Sequence, residues 1–323
     1  VRLKDVDLKV VGRSNNKISL GDLWGNRFRI TIRDIELPLD ETTARVKAIS
    51  QELEKGAPNF FGVQRFGETR PLTHVVGEAI VRGDLKEAAL TYIAKSFPDE
   101  PDEIRKARQY VWDTGDFKEG LKTYPVRLQF ERAMMNHLVA HPDDYIGAFR
   151  VLSPNLQRMF LHAYQSYIFN IILSRRIASG LSINEAYDGD IVCFKNEVGL
   201  PDTSRLQRVT LDNLDGINNL IRRGRAFATA PLVGYDMDFA QGAPGDIERG
   251  VVQELKIDPE GFKVPAMPEL SSRGRRREIV LLIRPEFSVE EDEINAGKTK
   301  VTLEFSLQKG SYATIVLREY MKK

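Results

Sequence analysis

Ser153-Pro154 opens the segment that most restricts what this chain can fold into. From there to Ala178, just ahead of Gly180, apolar residues at positions 156, 159, 160, 163, 164, 167, 168, 171 and 172 keep to one face, which at about 3.6 residues per turn is a stripe of more than four turns. Serine as cap and proline in the first turn mark its start. A helix of this length with one apolar side has to lie against a core, and the remaining elements must be arranged around it.

The flanks are of a different kind. Near the start, Phe28, Ile30 and Ile32 alternate with Arg27, Arg29, Thr31 and Arg33, which predicts a strand whose second face is lined with arginine. After Pro38 a helix is expected from a cap at Asp40 to about Lys55, with Gly56 as its stop. Asp84 with Glu87 three residues on forms a capping box for a second helix, and polar helical sequence continues to about residue 140. From Gly189 to Pro268 the pattern is one of short strands and Gly/Pro-rich loops. Residues 279–284 read as a buried strand, Val301, Leu303, Phe305 and Leu307 as an amphipathic one, and 313–321 as a helix with Ser311 as its cap. Strands at both ends around a different middle predict an α+β fold with a mixed, mainly antiparallel sheet and flanking helices, interrupted by an α/β insertion. The expected division is 1–85 and 267–323 for the interrupted domain and 86–266 for the insertion.

At 323 residues the chain has the length of about two domains and needs no staple. Its one cysteine, Cys193, excludes a disulfide framework, and histidines at 74, 137, 141 and 162 have no metal-ligand spacing. Neither a metal nor a cofactor is expected. No apolar run approaches the roughly 18 residues of a membrane span, so no membrane partner is expected either, and cytoplasm and a monomer are the default expectations. Net charge is only +1, but residues 1–33 hold eight basic residues against three acids. Arg222, Arg223 and Arg225 form a second basic cluster, and Arg273, Arg275, Arg276 and Arg277 a third. A polyanion such as RNA would be drawn to one side of such a molecule. The plainer reading of each cluster is a solvated face.

The densest chemistry lies in Gly56-Ala-Pro-Asn-Phe-Phe-Gly-Val-Gln-Arg-Phe-Gly67. Its glycines and proline make it a loop, and three phenylalanines in a loop must pack or stack on something. Asn59 and Gln64 carry amides able to read a base edge, Arg65 a fork for phosphate or carboxylate, and Phe60 or Phe61 a stacking face, the set that an extruded base requires. A tight turn whose rings fill the core has the same composition.

Asn59-Phe-Phe-Gly-Val-Gln-Arg-Phe-Gly67 closely resembles the signature of the pseudouridine synthase D family, TruD. Leu20-Gly-Asp-Leu-Trp-Gly-Asn-Arg-Phe28, Tyr164-Gln-Ser-Tyr-Ile-Phe-Asn170 and Gly310-Ser-Tyr-Ala-Thr-Ile-Val-Leu-Arg-Glu319 resemble further family segments in the same order. The long middle, with Gly224-Arg-Ala-Phe-Ala-Thr-Ala-Pro-Leu232, is similar to archaeal and eukaryotic members.

The resemblance implies a pseudouridine-synthase catalytic domain split by the family's insertion domain. It also implies cofactor-free isomerisation of uridine in tRNA, typically uridine 13 of the D arm, with an aspartate as nucleophile. On that reading Phe61 stacks on the flipped uracil, Asn59 holds the loop or the base, and Gln64 and Arg65 fix the loop or reach phosphate, a structural ion pair being the other reading for Arg65. Tyr312 lines the site or packs, and Arg27, Arg29, Arg33, Arg273, Arg275, Arg276 and Arg277 contact RNA, the last four from a mobile loop around Gly274. The family's Lys-Asp-x-x-Ala-x-Thr-x-Gln nucleophile motif does not occur here; Lys4-Asp5 is the only early Lys-Asp pair and lacks the following residues. The expectation is therefore that the family's N-terminal segment is not part of this chain, that Asp5 is not the nucleophile, and that the chain alone is inactive. The competing expectation is an RNA-binding protein or RNA chaperone of the same fold.

Overall fold

The computed structural model describes residues 9–15, 17–19 and 21–322; Asp5 and Leu20 lie outside them. The order of elements is β1 (Gly25–Ile35), α1 (Leu39–Lys55), β2 (Ala57–Pro58), α2 (Thr73–Val81), α3 (Leu85–Ala94), α4 (Asp102–Thr114), α5 (Phe117–Thr123), α6 (Gln129–Ala140), α7 (Tyr145–Arg150), α8 (Pro154–Ala178), β3 (Ile191–Lys195), β4 (Pro201–Arg208), α9 (Leu214–Arg222), β5 (Ala226–Leu232), α10 (Gly242–Glu254), β6 (Arg275–Glu278), β7 (Val280–Leu281), β8 (Glu286–Glu291), β9 (Thr299–Gln308) and α11 (Ala313–Met321). The fold is α+β, and its strand pairs are antiparallel.

The two ends of the chain meet in a three-stranded sheet of order β1-β9-β8. Its register sets Phe28 opposite Phe305, Ile30 opposite Leu303 and Ile32 opposite Val301, so the alternation of both strands turns one apolar face inward. That face packs with Val46 and Leu53 of α1 and Val316 of α11, and the Phe28 and Phe305 rings stack at 5.7 Å. The other face carries Arg27 and Arg29. A bulge after Ile32 brings Asp34 to a positive φ of 59°, where the Asp34 amide donates to Asp292 (3.0 Å). Asp292 also accepts from Arg33 (2.7 Å), the Ile294 amide (3.0 Å) and Asn295 (2.8 Å), closing the β8–β9 turn.

A second core surrounds α8, whose Phe160, Leu161, Tyr164, Ile168, Phe169, Ile172 and Leu173 are buried. The Ser153 hydroxyl accepts the Leu156 amide, as the sequence predicts. Helix α2 crosses α8 at Gly77, where a Cβ would stand 2.1 Å from the Phe160 carbonyl oxygen, so no side chain fits. The four-stranded sheet β4-β3-β5-β6 lies against the same core through β5, every residue of which is buried. This core draws on residues either side of positions 85 and 266. Beneath α3, α4 and α6 a buried ion cluster joins Arg108 to Glu100 and Glu131 (2.9 Å each), with Arg70 on Glu131 (3.1 Å).

Some local expectations change. Helix α1 begins at Leu39 after Pro38, without a side-chain cap; Asp40 sits in its first turn, where it favours the helix through the dipole. Tyr312, not Ser311, occupies the N-cap of α11, and the Ser311 hydroxyl is buried with no partner. The segment 279–284 is strand only at Val280–Leu281, because β2, its partner, is two residues long. Among the described residues no helix is long and apolar enough to cross a membrane.

Candidate active site and nucleic-acid interface

Gly56 ends α1 at a φ of 137°, and the chain turns into the short β2–β7 pairing. That pairing delivers Asn59 into the interior, 1% exposed. Its amide donates from Nδ2 to the Glu278 carbonyl (3.1 Å) and to Glu278 Oε1 (3.0 Å), while its Oδ1 accepts from Arg277 Nη2 (2.7 Å). The same Arg277 nitrogen donates to the Gly310 carbonyl (2.9 Å). Gln308 also donates to Glu278 Oε1 (3.0 Å). One buried amide therefore ties the loop to β6 and, through its partners, to the end of β9.

Phe61 is held by its backbone. Asn170, from α8, accepts the Phe61 amide (2.9 Å) and donates to the Phe61 carbonyl (3.0 Å). Its ring meets Phe169 and Tyr312 edge-on at 5.5 and 5.9 Å, and the Arg277 guanidinium lies 4.2 Å from its centroid, close enough for cation–π attraction. Arg65 approaches to 5.7 Å and donates from Nε to the Ser166 hydroxyl (3.1 Å). Gln64 Oε1 accepts from Thr314 (3.1 Å) at the start of α11. Gly62 lets the loop close on α11, since a Cβ there would meet Gln64, Thr314 and Tyr312 at 2.7–2.9 Å.

Asn59, Phe61, Gln64 and Arg65, all from one loop, are thus met by Tyr312 from a distant part of the chain. Arg277 joins them. Burial pulls its guanidinium below the ordinary arginine value, against the attraction of Glu278. Burial likewise holds the Glu278 carboxyl above the usual carboxylate range, opposed by Arg277, Asn59 and Gln308. Arg275, Arg277, Glu278, Gln308 and Gly310 border a cleft of about 580 Å³ whose other wall is the β3–β4 hairpin. Asn170 and Glu278 leave little signal in the sequence beyond an asparagine flanking the apolar stripe of α8 and an acid ending an arginine run.

The arginines expected to contact RNA separate into groups. Residues 275–278 are strand and not a mobile loop, and strand alternation sends neighbouring side chains opposite ways. Arg275 is exposed and Arg277 enters the site, whereas Arg276 is buried, ion-paired with Glu248 and donating to the Thr229 carbonyl (2.9 Å). Arg276 is thus a structural residue that RNA cannot reach. Arg273 pairs with Asp236 (2.8 Å), Arg27 with Glu304 (2.9 Å), Arg29 with Glu304 (3.4 Å) and Arg33 with Asp292 (2.7 Å). The arginine-lined face of β1 is therefore largely balanced by acids. By contrast Lys195, Arg222, Arg223 and Arg284 line a second cleft, of about 1020 Å³, between the two sheets. Among the described residues none of these four has an acidic partner. Cys193 is wholly buried, and burial pushes its thiol up to about 12. Among the described residues no group of three or more His, Cys, Asp or Glu side chains could hold a metal ion.

Comparison with known proteins bears on this site directly. The model of the family described as tRNA pseudouridine synthase D (TruD) matches residues 1–320. A Methanosarcina mazei protein with the name "Probable tRNA pseudouridine synthase D" is 59% identical over 324 residues, covering 100% of this chain and 74% of the relative. A Halobacterium salinarum protein of the same name is 42% identical, covering 99% and 72%. The crystal structure of the M. mazei TruD protein superposes with a TM-score of 0.93 at 59% identity, again covering 100% of this chain and 74% of the other. The motif-bearing loop, the helix behind it and the strand and helix that close on it lie within that match, and the chain belongs to the tRNA pseudouridine synthase D family.

Proposed function

We propose that the chain isomerises uridine to pseudouridine in tRNA, with uridine 13 of the D arm as the target, and that residues 86–266 form the family's insertion domain. The observation that carries this reading is the convergence of Asn59, Arg277 and Tyr312 around Phe61, with Arg277 also bordering the 580 Å³ cleft. The reaction breaks the bond from C1′ of the ribose to N1 of uracil, turns the base, and joins C1′ to C5; N1 gains a proton and C5 loses one. The freed base needs an aromatic floor and polar walls that keep it from leaving. Arg277 covers one face of Phe61, so an incoming base would lie toward the Tyr312 edge. Family membership and the absence of metal-ligand spacing support a reaction carried by side chains.

The chemistry also needs a positioned nucleophile. The family's Lys-Asp motif is not among these 323 residues, and Asp5 lies outside the described ones. We therefore propose that a protein of these residues alone binds tRNA without forming pseudouridine, and that joining it to the family's Lys-Asp segment produces turnover. Carbodiimide labelling and primer extension on an unmodified tRNA transcript read the product. Robust product from the 323-residue protein, abolished by Asp5→Ala, would overturn the second proposal and make Asp5 the nucleophile. Product at another uridine from the joined form would overturn the assignment to position 13.

A further inference from the structure

Residues 158, 162 and 166 stand four apart on α8 and share one helical face. The Ser166 hydroxyl is used twice on that face, donating to the His162 carbonyl (2.7 Å) and accepting Arg65 Nε–H (3.1 Å). The second bond docks Arg65, from the turn at Val63–Arg65, against the stripe. Arg275 arrives from β6 on the same side as Arg277, and its charge opposes those of Arg65, Arg277 and His162. Four basic side chains from three separate elements thus gather at His162, with Arg65 the one that reaches Phe61. Among the described residues no carboxylate pairs with Arg65, Arg158, His162 or Arg275; only the Tyr312 phenol favours the charge on Arg65. Exposed arginines such as Arg27, Arg82, Arg105 and Arg150 have acids within reach, whereas, among the described residues, the four basic groups at His162 share with Arg222, Arg223 and Arg284 the lack of one. Like charges collected without counter-ions raise the energy of the unliganded fold and favour a bound polyanion.

We infer that Arg65, Arg158, His162 and Arg275 clamp the RNA backbone at the nucleotide whose base is offered to Phe61. This rests on the tRNA reading above. The position supports it: the Arg65 guanidinium is 5.7 Å from the Phe61 centroid, so a phosphate on the clamp belongs to the same nucleotide or its neighbour. The state of His162 supports it too. Its residue surface is exposed, yet it is crowded enough that burial, followed by Arg65, Arg275 and Arg158, pushes the imidazole down to about 4. Those three arginines are the charged groups that face it. At neutral pH it is therefore uncharged in the free protein. A phosphate placed among the arginines offsets their repulsion, though not the burial that is the larger cause, and so raises the imidazole's hold on a proton. Because the bound form then holds its proton more tightly, affinity rises as pH falls. Because the burial remains, binding should be tighter at pH 5.5 than at pH 7.5 by less than the roughly tenfold that full recovery would give.

The test is fluorescence anisotropy of an unmodified tRNA transcript with the 323-residue protein, at both pH values and several salt concentrations. Each lost phosphate contact lowers the log–log salt slope by about 0.7–0.9. The double variant R158Q/R275Q should therefore lose about 1.4–1.8 of slope at pH 7.5. His162→Gln should lose the gain in affinity that the unaltered protein shows at pH 5.5. An unchanged slope in the double variant, or a gain that persists in His162→Gln, overturns the clamp while leaving the tRNA reading intact. Absence of binding by the unaltered protein overturns both.

Discussion

Arg275 and Arg276 are adjacent in sequence and opposite in fate, which makes them a sharp test of how the arginine run works. Arg276→Gln leaves Glu248 buried, 3% exposed in its side chain, without its cation. Removing one partner of a buried pair typically costs about 3–5 kcal/mol, because the remaining charge stays desolvated. The unfolding entropy of a chain this long, at about 2.1 cal/mol/K per residue, is roughly 0.7 kcal/mol/K, so the melting temperature should fall by about 4–7 °C. Arg275→Gln removes an exposed side chain with no acidic partner and should move it by less than about 1 °C. In tRNA binding the order reverses: Arg275→Gln lowers affinity and salt slope, and Arg276→Gln, assayed well below its melting temperature, lowers neither. Replacing both members, as R276M/E248M, should recover much of the lost stability, since the pair as a whole contributes little beyond an apolar substitute. Differential scanning fluorimetry and anisotropy read both quantities. Equal melting shifts for the two single variants, or a reduced salt slope for Arg276→Gln, would refute the assignment of opposite faces.

Three further outcomes follow from other parts of the molecule. Phe61→Ala, in a form that turns over, should abolish most activity while weakening tRNA binding severalfold at most, and should cost about 3–5 kcal/mol of stability because the ring is buried; an affinity loss equal to the rate loss would show the ring to be a binding contact. Although desolvation works the other way, hydrogen bonds from Asn295, the Asp34 and Ile294 amides and Arg33 hold the Asp292 carboxyl well below the usual range, so its stabilisation is complete above about pH 4 and lost as pH falls through the folded value; Asp292→Asn should flatten the acid limb of a melting-temperature profile. Cys193, with its thiol pushed up to about 12 and no exposed surface, should resist a thiol reagent at pH 8 until denaturant is added, and rapid labelling of the native protein would contradict its burial.

Periodicity was a sufficient guide wherever an element buries one face. The capping residues Asp84 and Ser153 and the alternation of β1 and β9 are placed as their pattern specifies, and so are positions 160, 164, 168 and 172 of the α8 stripe. Met159, by contrast, is exposed, and Leu161, Phe169 and Leu173 are buried outside the stripe, because α8 is packed on more than one side. The arginines were harder to read because sequence reports charge but not counter-charge. Arg33 and Arg276 look alike along the chain, and only tertiary structure brings Asp292 to one and Glu248 to the other. Strand alternation through 275–278 could have separated Arg276 from its neighbours, had the segment not resembled a glycine-hinged loop. Asn170 and Glu278 escaped for a related reason. Their roles lie in bonds to Phe61 and Asn59, which are 109 and 219 residues away, and nothing local announces such pairings.

The knot around Asn59 also sets when the site can exist during folding. Its ties join residue 59 to Arg277 across 218 positions, Phe61 to Asn170 across 109, and Gln64 to Thr314 across 250. Contacts that span so much chain carry a large loop-closure cost, and they form only after nearer elements have ordered the segments between them. Helices α2 to α8 can assemble from local contacts while the aromatic loop is still unattached at one end. A chain emerging from the ribosome therefore has no assembled pocket until α11 is released, and cannot handle RNA before then.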